Sequence, residues 1–174
     1  MRLVLAALAL GLSVAPAFAD DVAAVDLVAK FVIGADNGAT LAMDGGVSVG
    51  TLIKSSPGTF SATPAGGGSF AFKVTEKSKC IFDISFNDGG VAAGGIELDA
   101  AKLQAVTYET LKENDNWTDY KITLRGQPNV VQALGPQGQL APIQPVSQLS
   151  TSLTADMMQA ALAELQKAYC PAAA

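Results

Sequence analysis

The stretch from Phe70 to Phe86 constrains this chain more than any other. In SFAFKVTE, Phe70, Phe72 and Val74 alternate with Ala71, Lys73 and Thr75. In CIFDISF, Cys80, Phe82, Ile84 and Phe86 share one parity, while Asp83 and Ser85 take the other. A period of two sends successive side chains to opposite faces of a strand. Two such runs joined by EKSK read as an antiparallel hairpin with one buried face.

The flanking sequence extends this pattern. TFSAT (Thr59–Thr63) reads as a short strand and PAGGG as a turn. NDGGVAAGG (Asn87–Gly95) reads as a flexible connection, and IELD with KLQAVTYE as a second hairpin around Ala100 and Ala101. WTDYKITLRG sets Tyr120, Ile122 and Leu124 against Lys121, Thr123 and Arg125, and NVVQAL closes the series. Several short strands with close turns indicate an antiparallel meander of about six strands.

Helices are expected at the two ends. DVAAVDLVAKFVI places Val22, Val25, Val28, Ala29 and Val32 at helical spacing, with Asp20 or Asp21 as cap and Gly34 as terminator. The following residues, 34–58, are rich in glycine and turn dipeptides and read as loops around one or two short elements. Residues 135–150, with three prolines and four glutamines, suit an extended connector. Thr154 then caps a helix that carries Asp156 in its first turn. Met158, Ala161, Leu162, Leu165 and Tyr169 form its apolar stripe, and Pro171 ends it. The expected class is α+β: a meander with an N-terminal helical segment and a C-terminal helix packed on the sheet. The alternative is a small β-barrel or sandwich with a C-terminal helix.

The first 19 residues have the layout of a cleaved export signal. Arg2 precedes an apolar run from Leu3 to Val14, and Ala17-Phe18-Ala19 is a small-x-small cleavage site. The run is shorter than the ~20 residues that a stable span requires. Cleavage after Ala19 leaves residues 20–174, or 174 − 19 = 155 residues, as a single globular domain. The short alanine-rich signal suits a bacterium, so the expected compartment is the periplasm or the medium. Removal of Arg2 takes the net charge from −5 to −6 (10 basic, 16 acidic). That balance repels phosphate backbones and anionic headgroups, which argues against nucleic acid and membrane-surface partners.

In an exported chain, two cysteines most simply form one disulfide. Cys80 shares a strand face with three apolar side chains, and Cys170 ends a helix whose stripe faces the same core. The bond therefore pins the last helix across the sheet. A redox-active role is disfavoured, because Cys170 sits at a helix C-terminus, where the dipole opposes a thiolate.

The sharpest chemical motif is GVSVG, Gly46–Gly50, which resembles the G-x-S-x-G elbow of α/β-hydrolases. That resemblance implies a nucleophilic Ser48. With no histidine in the chain no Ser-His-Asp relay can form, and strands rather than helices follow. ENDNWTD gathers Glu113, Asp115 and Asp119 as weak calcium ligands, but without EF-hand spacing, and a polar hairpin loop explains it as well. No phosphate loop or dinucleotide fingerprint is present, and no cofactor is expected. The functional expectation is an exported, non-catalytic binding or structural module with a protein partner. The alternative is a carrier of a small apolar ligand held between sheet and helix. Phe70, Phe72, Phe82, Ile84, Phe86, Leu162 and Leu165 are the candidate lining. A hydrolase using Ser48 is the least favoured reading.

Overall fold

The computed structural model describes residues 20–43, 48–64, 67–88, 91–135 and 137–171. The expected leader, residues 1–19, lies outside them. The class is α+β. Among the described residues there are two α-helices, α1 (Asp20–Ile33) and α2 (Ala155–Ala168). The strands are β1 (Thr40–Met43), β2 (Ser48–Thr51), β3 (Ile53–Ser56), β4 (Thr59–Ala62), β5 (Phe70–Ser78) and β6 (Ile81–Asp88). They continue as β7 (Val91–Asp99), β8 (Leu103–Glu113), β9 (Thr118–Gly126), β10 (Val131–Leu134), β11 (Leu140–Pro142) and β12 (Val146–Thr151).

These strands divide between two open antiparallel sheets. One has the order β2-β1-β12-β9-β8, the other β11-β10-β7-β6-β5-β4-β3. The second contains the hairpin read from the alternation, with Phe72 opposite Phe86 and Val74 opposite Ile84. Phe60, Phe72, Val74, Phe82, Ile84 and Leu98 are buried, whereas Lys73 and Thr75 are exposed.

Three segments differ from their sequence reading. The Asn87–Gly95 region is largely strand, because β6 and β7 continue into it. IELD and KLQAVTYE lie in β7 and β8, which do not pair. A 3-10 turn at Ala100–Lys102 carries the chain from one sheet to the other. The Pro/Gln-rich connector holds β11 and most of β12, and β12 is a central strand paired with β1 and β9.

Helix α1 is the centre of the fold. Residues 24–33 include none that is exposed, and Val28, Ala29 and Phe31 are fully buried. A helix that is apolar on most of its circumference needs cover on most sides. Here α2 and β5 pack on it, and side chains from the first sheet bind its end. The half-buried carboxylate of Asp26 bonds the Lys54 ammonium at 2.5 Å and the Gly58 amide at 2.9 Å, tying the β3–β4 turn to the helix.

The C-terminus of α1 is buried, so its last carbonyls need donors. Gly34 N–H donates to Lys30 O at 3.1 Å and Ala35 N–H to Ala29 O at 3.2 Å. The Tyr108 hydroxyl on β8 donates to Phe31 O at 2.7 Å, and burial raises the Tyr108 pKa well above that of free tyrosine. The Thr151 hydroxyl on β12 donates to Gly34 O at 2.7 Å and accepts from Leu153 N–H at 3.2 Å. Gly34 ends the helix with φ at +64°, as its position in the sequence suggests.

Helix α2 begins at Thr154, whose hydroxyl accepts from Met157 N–H at 3.3 Å. Its stripe of Met158, Ala161, Leu162 and Leu165 is buried. Gln159 and Gln166 lie two turns apart and donate to the carbonyls of Val106 (2.5 Å) and Leu103 (3.1 Å). Both carbonyls belong to β8, an edge strand, so α2 satisfies and shields an edge that could otherwise pair with another chain.

Cys80 and Cys170 form a disulfide with Cα atoms 5.5 Å apart. Cys80 is not in the strand, as the alternation implied. It occupies the β5–β6 turn with φ at +64° and is buried nonetheless. Its amide donates to the Glu76 carboxylate at 3.1 Å, and its carbonyl accepts from Ala100 N–H at 2.8 Å. The bond joins that turn to the end of α2.

Candidate functional site: a cavity between the sheets

Helix α1 packs on β5 of the second sheet, and Tyr108 and Thr151 of the first sheet bond its C-terminal end. It ends at Ile33, and the chain turns away at Gly34. Beyond that point the sheets are separated by a cavity of about 680 Å³. Val32 and Ile33 of α1 contribute to its wall. Leu41 and Leu149 come from the first sheet, and Phe70, Phe72, Phe86 and Ile96 from the second. Ile33, Leu41, Phe70, Phe72 and Leu149 are buried and form its deep part.

The rim is polar. Asn87, Ser147 and Gln148 are exposed there, with Ser150 half-buried. A bulge at Leu111 interrupts the β8–β9 ladder between Thr110 and Lys112, and Leu111 and Asp119 are among the residues at the cavity. Leu111 is exposed. Asp119 is half-buried. Its Oδ1 is out of reach of solvent and accepts no hydrogen bond from the protein.

The site residues expected from sequence divide into two groups. Phe70, Phe72 and Phe86 line the cavity. Phe82, Ile84, Leu162 and Leu165 sit in the close-packed core and do not line it. The cavity lies between two sheets rather than between a sheet and the C-terminal helix. Leu41, Leu149 and Ile96 were missed. Leu41 and Leu149 sit in segments whose glycines and prolines suggest loops, and only the pairing of Leu41 with Thr151 brings them together.

Ser48 opens β2, an edge strand that leads through Leu52 into β3. No helix follows, so the strand-to-helix elbow is absent there; Gly46 and Val47 lie outside the described residues. Glu113 ends β8, Asp115 is exposed in the β8–β9 turn, and Asp119 lies in β9. Among the described residues no three acidic or cysteine side chains are grouped to hold a metal, so the ENDNWTD candidates are not assembled into a site.

A second acidic feature lies on the outer face of the larger sheet. Asp83 is opposite Glu97 in the β6–β7 ladder, and Lys77 pairs with Glu97 at 2.6 Å. Burial raises the Asp83 carboxyl above its ordinary range, Lys77 opposes the rise and Glu97 adds to it. The folded chain therefore binds this proton more tightly than the unfolded chain. The group costs stability as pH rises from the unfolded value near ~4 through the raised folded value. Asp83→Asn is expected to raise the melting temperature at pH 7, with the gain disappearing below about pH 4. Melting curves across that range check it, and a variant equally altered at every pH would contradict it.

No family model matches this chain, and neither the curated proteins nor the solved structures compared with it yield a match.

Proposed function

We propose that this chain is an exported, non-catalytic binding protein that holds a small apolar molecule between its two sheets. One observation carries the reading: a cavity of about 680 Å³ whose deep wall is apolar and whose rim is polar. Sites for small molecules have this size and this distribution of polarity. Protein interiors are otherwise close-packed, and a space this large forgoes contacts that a filled core would make. The signal-like N-terminus supports a bacterial periplasmic or secreted setting, and the disulfide suits an oxidising one. Among the described residues no helix is long and apolar enough to cross a membrane.

Titration with a neutral apolar fluorophore is expected to saturate at one equivalent. Ile96 is half-buried on the cavity wall, so Ile96→Trp fills space without disturbing the close-packed core. That variant is expected to weaken binding about tenfold or more, equivalent to ~1.4 kcal/mol, while melting within a few degrees of the parent. A parent protein that binds no apolar probe, and carries none when isolated under native conditions, would remove the proposal.

A further inference from the structure

One wall of the cavity is aromatic, and the rest of its apolar lining is aliphatic. We infer that the preferred ligand carries an aromatic ring that packs against the phenylalanines of the second sheet, in preference to a saturated ring or chain of the same size. This rests on the cavity being a ligand site.

The aromatic wall is built in register. Phe70 and Phe72 on β5 share a strand face with buried Val74, and Phe86 on β6 shares one with buried Ile84. The pairs Phe72–Phe86 and Val74–Ile84 make these a single face of the sheet, the one turned to the core. All three phenylalanines line the cavity. Helix α1 and the first sheet contribute Val32, Ile33, Leu41 and Leu149 to the lining, and no aromatic side chain.

The row of paired residues from β4 to β7 reads Phe60, Phe72, Phe86, Gly94. Phe60 and Phe72 stack with centroids 5.2 Å apart and planes inclined by 22°, so the Phe72 ring is held from the β4 side. Phe86 is half-buried and, like Phe70, forms no ring pair with another described residue. Its partner on β7, Gly94, has no side chain to cover it. An aromatic pair gains attraction between ring face and ring edge beyond the area it buries, equivalent to about threefold to tenfold in affinity. A saturated group in the same place gains burial alone. A ring brought by a ligand therefore supplies the partner that the row does not.

The test is competition by phenylbutanol, cyclohexylbutanol and decanol against the neutral fluorophore. The three share a carbon count and a terminal hydroxyl remote from the ring, so only the apolar body varies. Each displacement concentration is scaled by the alcohol's own octanol–water partition, which removes the difference in hydrophobicity. Phenylbutanol is then expected to displace the probe at concentrations about threefold to tenfold below the other two. Phe86→Leu keeps an apolar side chain but loses the ring, and is expected to reduce that preference to about twofold or less. Equal scaled concentrations for the three alcohols, or a preference unchanged in folded Phe86→Leu protein, would overturn the inference while leaving the cavity as a ligand site. The comparison in the parent protein decides the matter should that variant not fold. Failure of the fluorophore itself to bind would overturn both.

Discussion

Removal of the Cys80–Cys170 bond is expected to lower the melting temperature by about 10–15 °C. The bond closes a sequence separation of 90 residues. In the chain-entropy account, a loop of that length restricts the unfolded ensemble by about 4–5 kcal/mol. For a domain of this size, each kcal/mol corresponds to roughly 2–4 °C. The loss should also be local. Cys170 follows α2, and α2 covers the β8 edge through Gln159 and Gln166. Reduction should therefore raise hydrogen exchange first in Ala155–Ala168 and along β8. None of the residues lining the cavity belongs to α2, so apolar probe binding below the new melting point should persist. Calorimetry with and without reductant, beside a Cys80→Ala/Cys170→Ala variant, checks these points. An unchanged melting curve, or two free thiols in native protein, would refute them.

Local patterns in this chain were legible, and their assembly was not. The alternation from Phe70 to Phe86 identified a hairpin because the buried face is set by neighbours two residues apart, and β5 and β6 do pair, with Phe72 opposite Phe86. The stripe from Met158 to Leu165 and the Thr154 cap are similarly local and similarly correct. The division into two sheets depends on pairings such as Leu41 with Thr151 and Val131 with Leu98. A period-two pattern states that a strand has a buried face, but not which strand lies beside it. Strand β12 was hidden for a further reason. Its flank carries Pro142 and Pro145, and proline usually signals a break, yet neither lies inside β12 itself.

The position of Cys80 shows a different limit. Turn geometry with positive φ is normally announced by Gly or Asn. Here a cysteine adopts φ of +64°, held by the disulfide, by Glu76 on its amide and by Ala100 on its carbonyl. Its apolar neighbours made it resemble the first residue of a strand. The inference that it fastens the last helix survived, because that inference depended on burial and on Cys170 rather than on the backbone at residue 80. The cavity was legible only in part for a related reason. Phe70, Phe72 and Phe86 were visible as an apolar face, but whether such a face meets a filled or an open space depends on where α1 stops.

That stopping point makes Gly34→Ala the substitution that best tests the link between fold and site. Gly34 has φ of +64°, a region that costs an L-residue with a Cβ about 1–2 kcal/mol. A Cβ there would also lie 2.6 Å from Thr151 Cγ2 and 2.8 Å from Leu149 Cδ2. Relieving overlap of that kind in a packed interior costs about 1–3 kcal/mol more. The expected loss is therefore about 2–5 kcal/mol, seen as a fall in denaturant midpoint without a change in slope. Gly38→Ala is the control, since φ there is +82° with nothing within 4 Å of a built Cβ. It carries the backbone cost alone. The two variants should also separate in binding. Leu149 lines the cavity and Thr151 anchors Gly34 O, so displacing either moves the floor of the site. Gly34→Ala should weaken the apolar probe at temperatures where the protein is still folded, whereas Gly38→Ala should leave it unchanged. Equal effects of the two variants on stability would show that contact with β12 does not set the end of α1. Equal effects on binding would show that the end of α1 does not shape the cavity.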